Sequence, residues 1–417
     1  MNRKQVITLI VAVAVIGGAG LLVYKKRNQS WEASSAQLGG KVVKDFPVNE
    51  IEHIRIKQHA GEVNLARKND VWVVQERNGY PVDFGHVSDF LRKVNDLKMG
   101  RAMRVTEKQL GRLELTPPDK GTNSGTLVEF KEKGGKTIAL TLGKKDMKEG
   151  GGGQFGGGSW PTGRYLMVGN DTKTVGLVSE PFANIEPKPE EWIDKEFFKI
   201  ENHKSIAVNG PTPTNTWVIA KESTTNEWKL ADAKGKEELD TGKASGVTSA
   251  LSYPSFSDVA TTNATPDKTG LDKPTVAKIE TFDGFRYDVK LGKKLDDRDD
   301  HYMQFAVTGN FPKERTPGKD EKPEDKEKLD KEFKEKLAKH EEKLKTEKAL
   351  EQWVYIVPKY TMEPLLKSRP ELLKEEPKAE EKKEATTTPS STESKPALPP
   401  SPGESLVPKI APATSAK

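Results

Sequence analysis

The sequence predicts an α+β chain with three parts: an N-terminal transmembrane helix, two repeated units of antiparallel sheet plus helix, and a disordered C-terminal tail. Three observations predict it. An uncharged apolar run fills residues 6–24, one order of strands and turns occurs twice downstream, and the composition after Lys374 turns Glu/Lys-rich and then Pro/Ser/Thr-rich. The boundaries that follow are 1–27 for the anchor, 28–42 for a linker, 43–198 and 199–373 for the two units, and 374–417 for the tail.

The run from Val6 to Tyr24 is bracketed by Arg3 and Lys4 on one side and by Lys25, Lys26 and Arg27 on the other. As a helix rising ~1.5 Å per residue it reaches about 28 Å, close to the roughly 30 Å hydrocarbon core of a bilayer. The competing reading is a cleaved secretory signal, whose apolar core is usually ~7–15 residues with a small-residue cleavage site close behind. Here the run is longer, a Lys-Lys-Arg cluster follows it directly, and the nearest small-x-small site, Ser34-Ser35-Ala36, lies beyond that cluster. The segment therefore reads as an uncleaved anchor. The chain has no cysteine, which excludes a lipid-modified N-terminal Cys. Two basic residues before the span and three after it leave the orientation open.

Between anchor and tail there is room for two domains of ordinary size. Charged residues make up 31% and hydrophobic residues 34% of the 417 positions, so the ordered part should have a polar surface over modest cores. The net charge of +5 is spread among interleaved acids and bases and forms no phosphate-binding stripe, which argues against nucleic acid as a partner.

The first unit opens with a three-strand meander: Ile51–Ile56, Val63–Leu65 after the Ala60-Gly61 turn, and Val71–Val74 after Asn69-Asp70. Apolar residues alternate along each strand and turn residues fall between them. The second unit repeats the pattern at Ser205–Val208, Trp217–Ala220 and Trp228–Leu230. A helix follows in each. Asp83 caps one whose apolar face is Val87, Phe90, Leu91, Val94 and Leu97, and Asp240 caps a weaker one with Ala244, Val247 and Leu251. A Leu-x-x-Pro signature comes next, Leu115–Pro118 and Leu271–Pro274, each ahead of a hairpin that ends in Leu-Gly-Lys-Lys, at 142–145 and 291–294. Those hairpins pair 126–130 with 137–142 around Gly134-Gly135, and 276–282 with 285–291 around Asp283-Gly284. The closing strands are 164–168 with 175–178, and 302–307 with 353–357. Agreement in the order of every element is what argues for an internal repeat.

The last hairpin of the second unit is interrupted by a charged, coiled-coil-like insertion over 312–350. Lys and Arg number thirteen and Asp and Glu twelve between Lys313 and Lys348. Glu327–Lys331, Glu332–Lys336 and Glu335–Lys339 stand four apart with Glu first, and Leu329, Phe333 and Leu337 form a thin apolar stripe. A solvated helical protrusion is expected, with a partner-docking helix as the alternative. The tail cannot bury enough apolar surface to offset chain entropy.

No residue is nominated as catalytic, cofactor-binding or metal-binding. His53 and His59 lack a third ligand within reach. Asp296-Asp297-Arg298-Asp299-Asp300 lacks the alternating ligands and central glycine of a calcium loop. The glycine run 150–159 leads into Trp160-Pro161 and a strand without the Lys-Ser/Thr of a phosphate loop. No nucleophile elbow, zinc-protease helix or dinucleotide fingerprint occurs.

The order of meander, helix, Gly-Leu-Asp-Lys-Pro (270–274), hairpin and Leu-Gly-Lys-Lys resembles the domain of unknown function 4340 family, and the resemblance covers roughly 43–373. The junction Glu191–Phe198 is similar to the segment linking that family's repeats. The first unit departs from the pattern at Leu113–Pro117, where the Gly-Leu-Asp-Lys-Pro form is lost. The resemblance implies a bacterial envelope component, often encoded beside ABC-type exporters, including ones related to gliding-motility transporters. It supplies no functional residue to carry over. The resulting expectation is a single-pass cytoplasmic-membrane protein with its body on the periplasmic or outer face. It would act as a non-catalytic binding or scaffolding subunit accessory to ABC-type transporter subunits. Two rivals stand beside it: an envelope hydrolase or polysaccharide-processing enzyme in which Asp296 meets a carboxylate of the first unit, and a cell-wall binding module using exposed aromatics such as Trp160 and Tyr80.

Overall fold

The computed structural model describes residues 39–149, 158–169, 175–317 and 321–375. The anchor at 6–24, most of the glycine run and the tail from 376 lie outside these residues. Among the described residues no helix is long and apolar enough to cross a membrane.

The chain is mixed α and β, with few helices and two antiparallel sheets. The first contains β1 (Ile51–Gln58), β2 (Gly61–Lys68), β3 (Val71–Val74) and β4 (Tyr80–Pro81). Helix α1 (Phe84–Asp96), strand β5 (Arg101–Met103) and the single turn α2 (Glu107–Leu110) follow, and then β6 (Thr126–Glu132), β7 (Thr137–Glu149), β8 (Ser159–Val168) and β9 (Val175–Val178). Across the sheet the order is β4-β3-β2-β1-β6-β7-β8-β9-β5.

The second sheet begins with β10 (His203–Asn209), β11 (Thr216–Ala220) and β12 (Lys229–Leu230), followed by α3 (Ser245–Thr248), β13 (Asp258–Val259) and α4 (Pro266–Thr269). It continues with β14 (Thr275–Thr281), β15 (Phe285–Lys294), β16 (Asp300–Gly309), the long α5 (Pro323–Ala349), β17 (Tyr355–Pro358) and α6 (Lys359–Leu366). Its order is β12-β11-β10-β14-β15-β16-β17-β13. With β4 set aside, the two sheets run through the same sequence of neighbours. The irregularities coincide too. β1 shifts register against β6 between Ile51 and His53, and β10 shifts against β14 between His203 and Ser205.

Alternation builds the core. Ile54, Ile56, Val63 and Leu65 are fully buried on one face of β1 and β2. On the other face Arg55 spans its neighbours, reaching Glu62 of β2 at 2.8 Å and Glu129 of β6 at 2.9 Å. The hydrogen bond from Arg55 holds the Glu62 carboxyl at about 2, well below its ordinary value of about 4.5. A carboxylate whose pKa is depressed by folding stabilises the protein above the unfolded value, and that contribution fades as the pH falls toward the folded one. Glu62→Gln should therefore flatten the decline of the urea midpoint between about pH 4.5 and 2. An unchanged slope would show that Arg55 does not hold this carboxylate in solution.

Helix α1 forms as its spacing predicts. Asp83 accepts from the His86 N–H at 3.0 Å, and Val87, Phe90, Leu91 and Val94 are buried, with Leu97 buried just beyond the last turn. Its counterpart in the second unit is a single turn, α3, rather than a helix reaching Leu251. Asp240 does accept from the Gly242 and Lys243 N–H groups at 2.9 and 3.0 Å. However, Gly242, Ser245, Gly246, Thr248 and Ser249 are poor helix formers, and Leu251 turns left-handed at φ 59°. Ala244, Val247 and Leu251 are buried all the same.

The insertion contains the 27-residue helix α5. The Glu-first pairs expected from spacing are not the ones formed. Lys328–Glu332 at 3.9 Å and Lys331–Glu335 at 4.0 Å run the other way, and Lys336 reaches Asp283 instead, at 2.8 Å. Long side chains in water exchange partners at little cost, so spacing alone does not choose among them. The helix is seated by its C-terminal half. There the buried Glu347 accepts from the Tyr287 hydroxyl at 2.7 Å, the Lys343 Nζ at 2.6 Å and the Lys199 N–H at 3.3 Å. Leu329, Phe333 and Leu337 remain half-buried.

Candidate functional site

The residues singled out from the sequence do not converge. His53 lies within β1, its pKa lowered first by burial and then by Lys131. His59 sits at the following turn with its Nδ1 3.3 Å from the Pro118 carbonyl oxygen. Asp296 to Asp299 lie in the loop between β15 and β16, and Asp300 opens β16. Asp299 pairs with Lys294, and Asp300 takes Arg298 at 3.4 Å and the Ser257 hydroxyl at 2.9 Å. Asp296 is exposed. Among the described residues no three His, Asp or Glu side chains are grouped to hold a metal ion. Residues 150–157 of the glycine run lie outside the described residues.

Of the two aromatics expected at the surface, Trp160 is 49% exposed, whereas Tyr80 is buried. The correction has a tertiary cause. Tyr80 belongs to the short edge strand β4, and the second sheet closes over it, with the Trp353, Phe256 and Tyr355 rings at 4.8, 5.9 and 6.0 Å. Beside it, Arg77 grips Asp258 of β13 with two hydrogen bonds, at 2.6 and 2.7 Å, and reaches Glu190 at 3.2 Å. Asn78, left-handed at φ 57°, donates from its side chain to the Ala260 carbonyl at 3.0 Å. The junction predicted at Glu191–Phe198 threads this contact. The Trp192 carbonyl accepts from the Asp83 N–H at 2.8 Å, and Lys195 donates to the Ser257 carbonyl at 2.7 Å. Paired charges and packed rings make this a structural lock between the sheets.

A different region has the character of a contact surface. The segment 249–254 and α6 border an open depression of about 380 Å³ lined by Ser249, Leu251, Tyr253, Pro254, Tyr360 and Pro364. Tyr253 is 87% exposed and Tyr360 65%, and the Tyr360 hydroxyl lies 2.7 Å from the Ser255 hydroxyl. The segment is fixed from beneath. His203, buried in β10, lies 2.8 Å from the Ala250 carbonyl oxygen through Nε2, and the Leu251 carbonyl accepts from the Ile200 N–H at 2.9 Å. Two tyrosines held on a rigid base with their rings in water can recognise a protein surface at low entropic cost. The only signal for them in the sequence was Tyr-Pro at 253–254 after a poor helix, which is a turn signal and not a site signal.

Comparison with known proteins gives one positive finding. Residues 72–274, from β3 to the end of the Gly-Leu-Asp-Lys-Pro signature, match the family model described as Domain of unknown function (DUF4340), a narrower span than the 43–373 suggested by the motifs. No curated protein and no solved structure matches the chain.

Proposed function

We propose, from the premise that residues 72–274 place the chain in the DUF4340 family, that it is a non-catalytic binding or scaffolding subunit acting beside an ABC-type exporter. In this reading residues 6–24 anchor it in the cytoplasmic membrane as a single span, the two sheets are copies of one unit on the outer face, and the tail is disordered. The observation that carries the reading is the Tyr253–Tyr360 surface. Two large exposed rings bordering one depression are costly on a surface otherwise rich in charge unless a partner covers them.

Because the chain has no cysteine, a photo-crosslinker can be placed at one position by Tyr253→Cys or Tyr360→Cys. Crosslinking in membranes followed by detergent extraction should recover a transporter subunit from these two positions and not from Trp160→Cys. Recovery of no transporter subunit from either tyrosine position would overturn the assignment. Adducts to wall polymer arising at Trp160 would favour the wall-binding alternative.

A further inference from the structure

We infer that the face where the chain enters the folded body is a docking surface for anionic lipid headgroups. The inference rests on the anchored reading above and adds to it a second, electrostatic contact with the bilayer.

The entry segment is fixed in place. The Gly39 N–H donates to the Met99 carbonyl at 2.8 Å, the Val42 N–H to the Leu97 carbonyl at 2.9 Å, and the Met99 N–H to the Gly40 carbonyl at 2.9 Å. This short ladder pairs Lys41 directly with Lys98. Like charges opposite one another on paired strands are destabilising. Neither lysine is relieved by an acid: Lys41 donates to the Asn95 side chain at 3.3 Å, and no described carboxylate pairs with either. Both are exposed.

The two lysines border an open depression of about 670 Å³ whose lining also includes Arg92, Lys93, Asp96 and Glu180. Four cations thus face two carboxylates there. Asp89, one turn back on α1, engages Arg92 at 2.6 Å and Lys93 at 3.0 Å, and Lys93 lies 3.8 Å from Glu180. Asp89 and Glu180 balance Arg92 and Lys93, and Asp96, which pairs with neither lysine, leaves one net positive charge on the side of Lys41 and Lys98. Exposed Arg101 follows on the strand after Lys98, while exposed Asp45 offsets exposed Lys44 on the other side.

Continuity of the chain identifies the partner. Only residues 28–38 separate Arg27, at the end of the apolar run, from Gly39. Eleven residues span at most about 40 Å even when fully extended. The face carrying Lys41 and Lys98 is therefore held within reach of the bilayer by its own covalent connection, and a headgroup phosphate would supply the missing counter-charge. Each lysine or arginine at an anionic membrane surface favours contact by about fivefold.

The test uses the full chain reconstituted in vesicles of phosphatidylcholine alone or mixed with phosphatidylglycerol. A fluorophore on Ser179→Cys, in the lining of the depression, reports approach to a headgroup-attached quencher, and one on Thr214→Cys, in the turn between β10 and β11 and outside that lining, serves as the control. Quenching at residue 179 should rise with phosphatidylglycerol, fall with salt, and weaken about fivefold for each of Lys41→Gln and Lys98→Gln. Quenching at 179 that equals the control, or that ignores both lipid charge and the lysine substitutions, would overturn the inference. So would loss of quenching on adding inorganic phosphate at constant ionic strength, which would identify a free-anion site instead. Flotation in alkaline carbonate reads the anchor separately. A chain that floats without charge-dependent quenching refutes the lipid-docking face alone, and one that does not float refutes the anchor and this inference together.

Discussion

Replacing Arg77 with alanine should lower the unfolding free energy by about 3–5 kcal/mol, the usual cost of leaving one member of a buried ion pair alone. Arg77 and Asp258 are only 11% and 10% exposed in their side chains, and the guanidinium meets the carboxylate through two hydrogen bonds. Alanine at 77 strands the Asp258 charge at the join of the two sheets, next to the buried Tyr80. Lys195 is close enough to feel the Asp258 charge, but its Nζ is held by the Ser257 carbonyl at 2.7 Å and makes no hydrogen bond to the carboxylate. Removing both partners is a different matter, because two apolar residues of similar volume leave nothing unpaired. Arg77→Met with Asp258→Leu should recover most of the loss. Urea titration of the full chain in detergent would measure it. A single-substitution cost below about 1 kcal/mol, the range of solvated surface pairs, would mean that the sheets are not locked at this point.

This contact also marks where sequence reasoning reaches its limit. Within each unit the elements were legible because their determinants are local. Alternation marked β1 and β2, Asp83 and the 3.6-residue spacing marked α1, and Gly135 and Gly284 adopt the positive φ, 85° and 89°, that their hairpin turns require. The hairpin pairing Thr126 with Leu142 was readable from the same pattern. The short edge strands β4, β5 and β13 were not. Two or three residues carry no periodicity, and these become strands only because a neighbour is already in place. Arg77 and Asp258 stand 181 residues apart and share no pattern that would connect them. Tyr80 was misplaced for the same reason, since an aromatic near a turn looks exposed until another sheet covers it. The tyrosine surface was hidden differently: the segment bearing Tyr253 leaves the helix because α3 ends early at five weak helix formers, and Tyr360 comes beside it only through the packing of α6.

The signature Leu-Gly-Lys-Lys was legible as a repeat but not as a cause, and the structure supplies the cause. At Gly143 an added Cβ would fall inside the shell of the Leu113 carbonyl oxygen and 2.8 Å from the Leu115 side chain. At Gly292 it would meet the Thr269 carbonyl oxygen in the same way, with Tyr302 Cβ at 3.0 Å. In both units the residue two positions before the Leu-x-x-Pro signature, Leu113 or Thr269, sets its carbonyl oxygen against this glycine. In both the strand pairing slips at the same place, between Leu142 and Lys145 and between Leu291 and Lys294. A glycine there lets one backbone approach another, which a side chain would prevent. Gly143→Ala and Gly292→Ala should each cost about 3 kcal/mol, the upper range for overpacking, because the obstructing atom is backbone and cannot rotate away. Gly111→Ala is the matched control. Its added Cβ meets nothing within 4 Å and its φ is −61°, so alanine should be neutral or stabilising by up to about 1 kcal/mol. Chemical denaturation of the three variants separates the possibilities. Equal losses at 143 and 292 would mean that the two sheets depend on one crossing geometry. A tolerated alanine at either site would mean that the shared signature does not reflect a shared constraint.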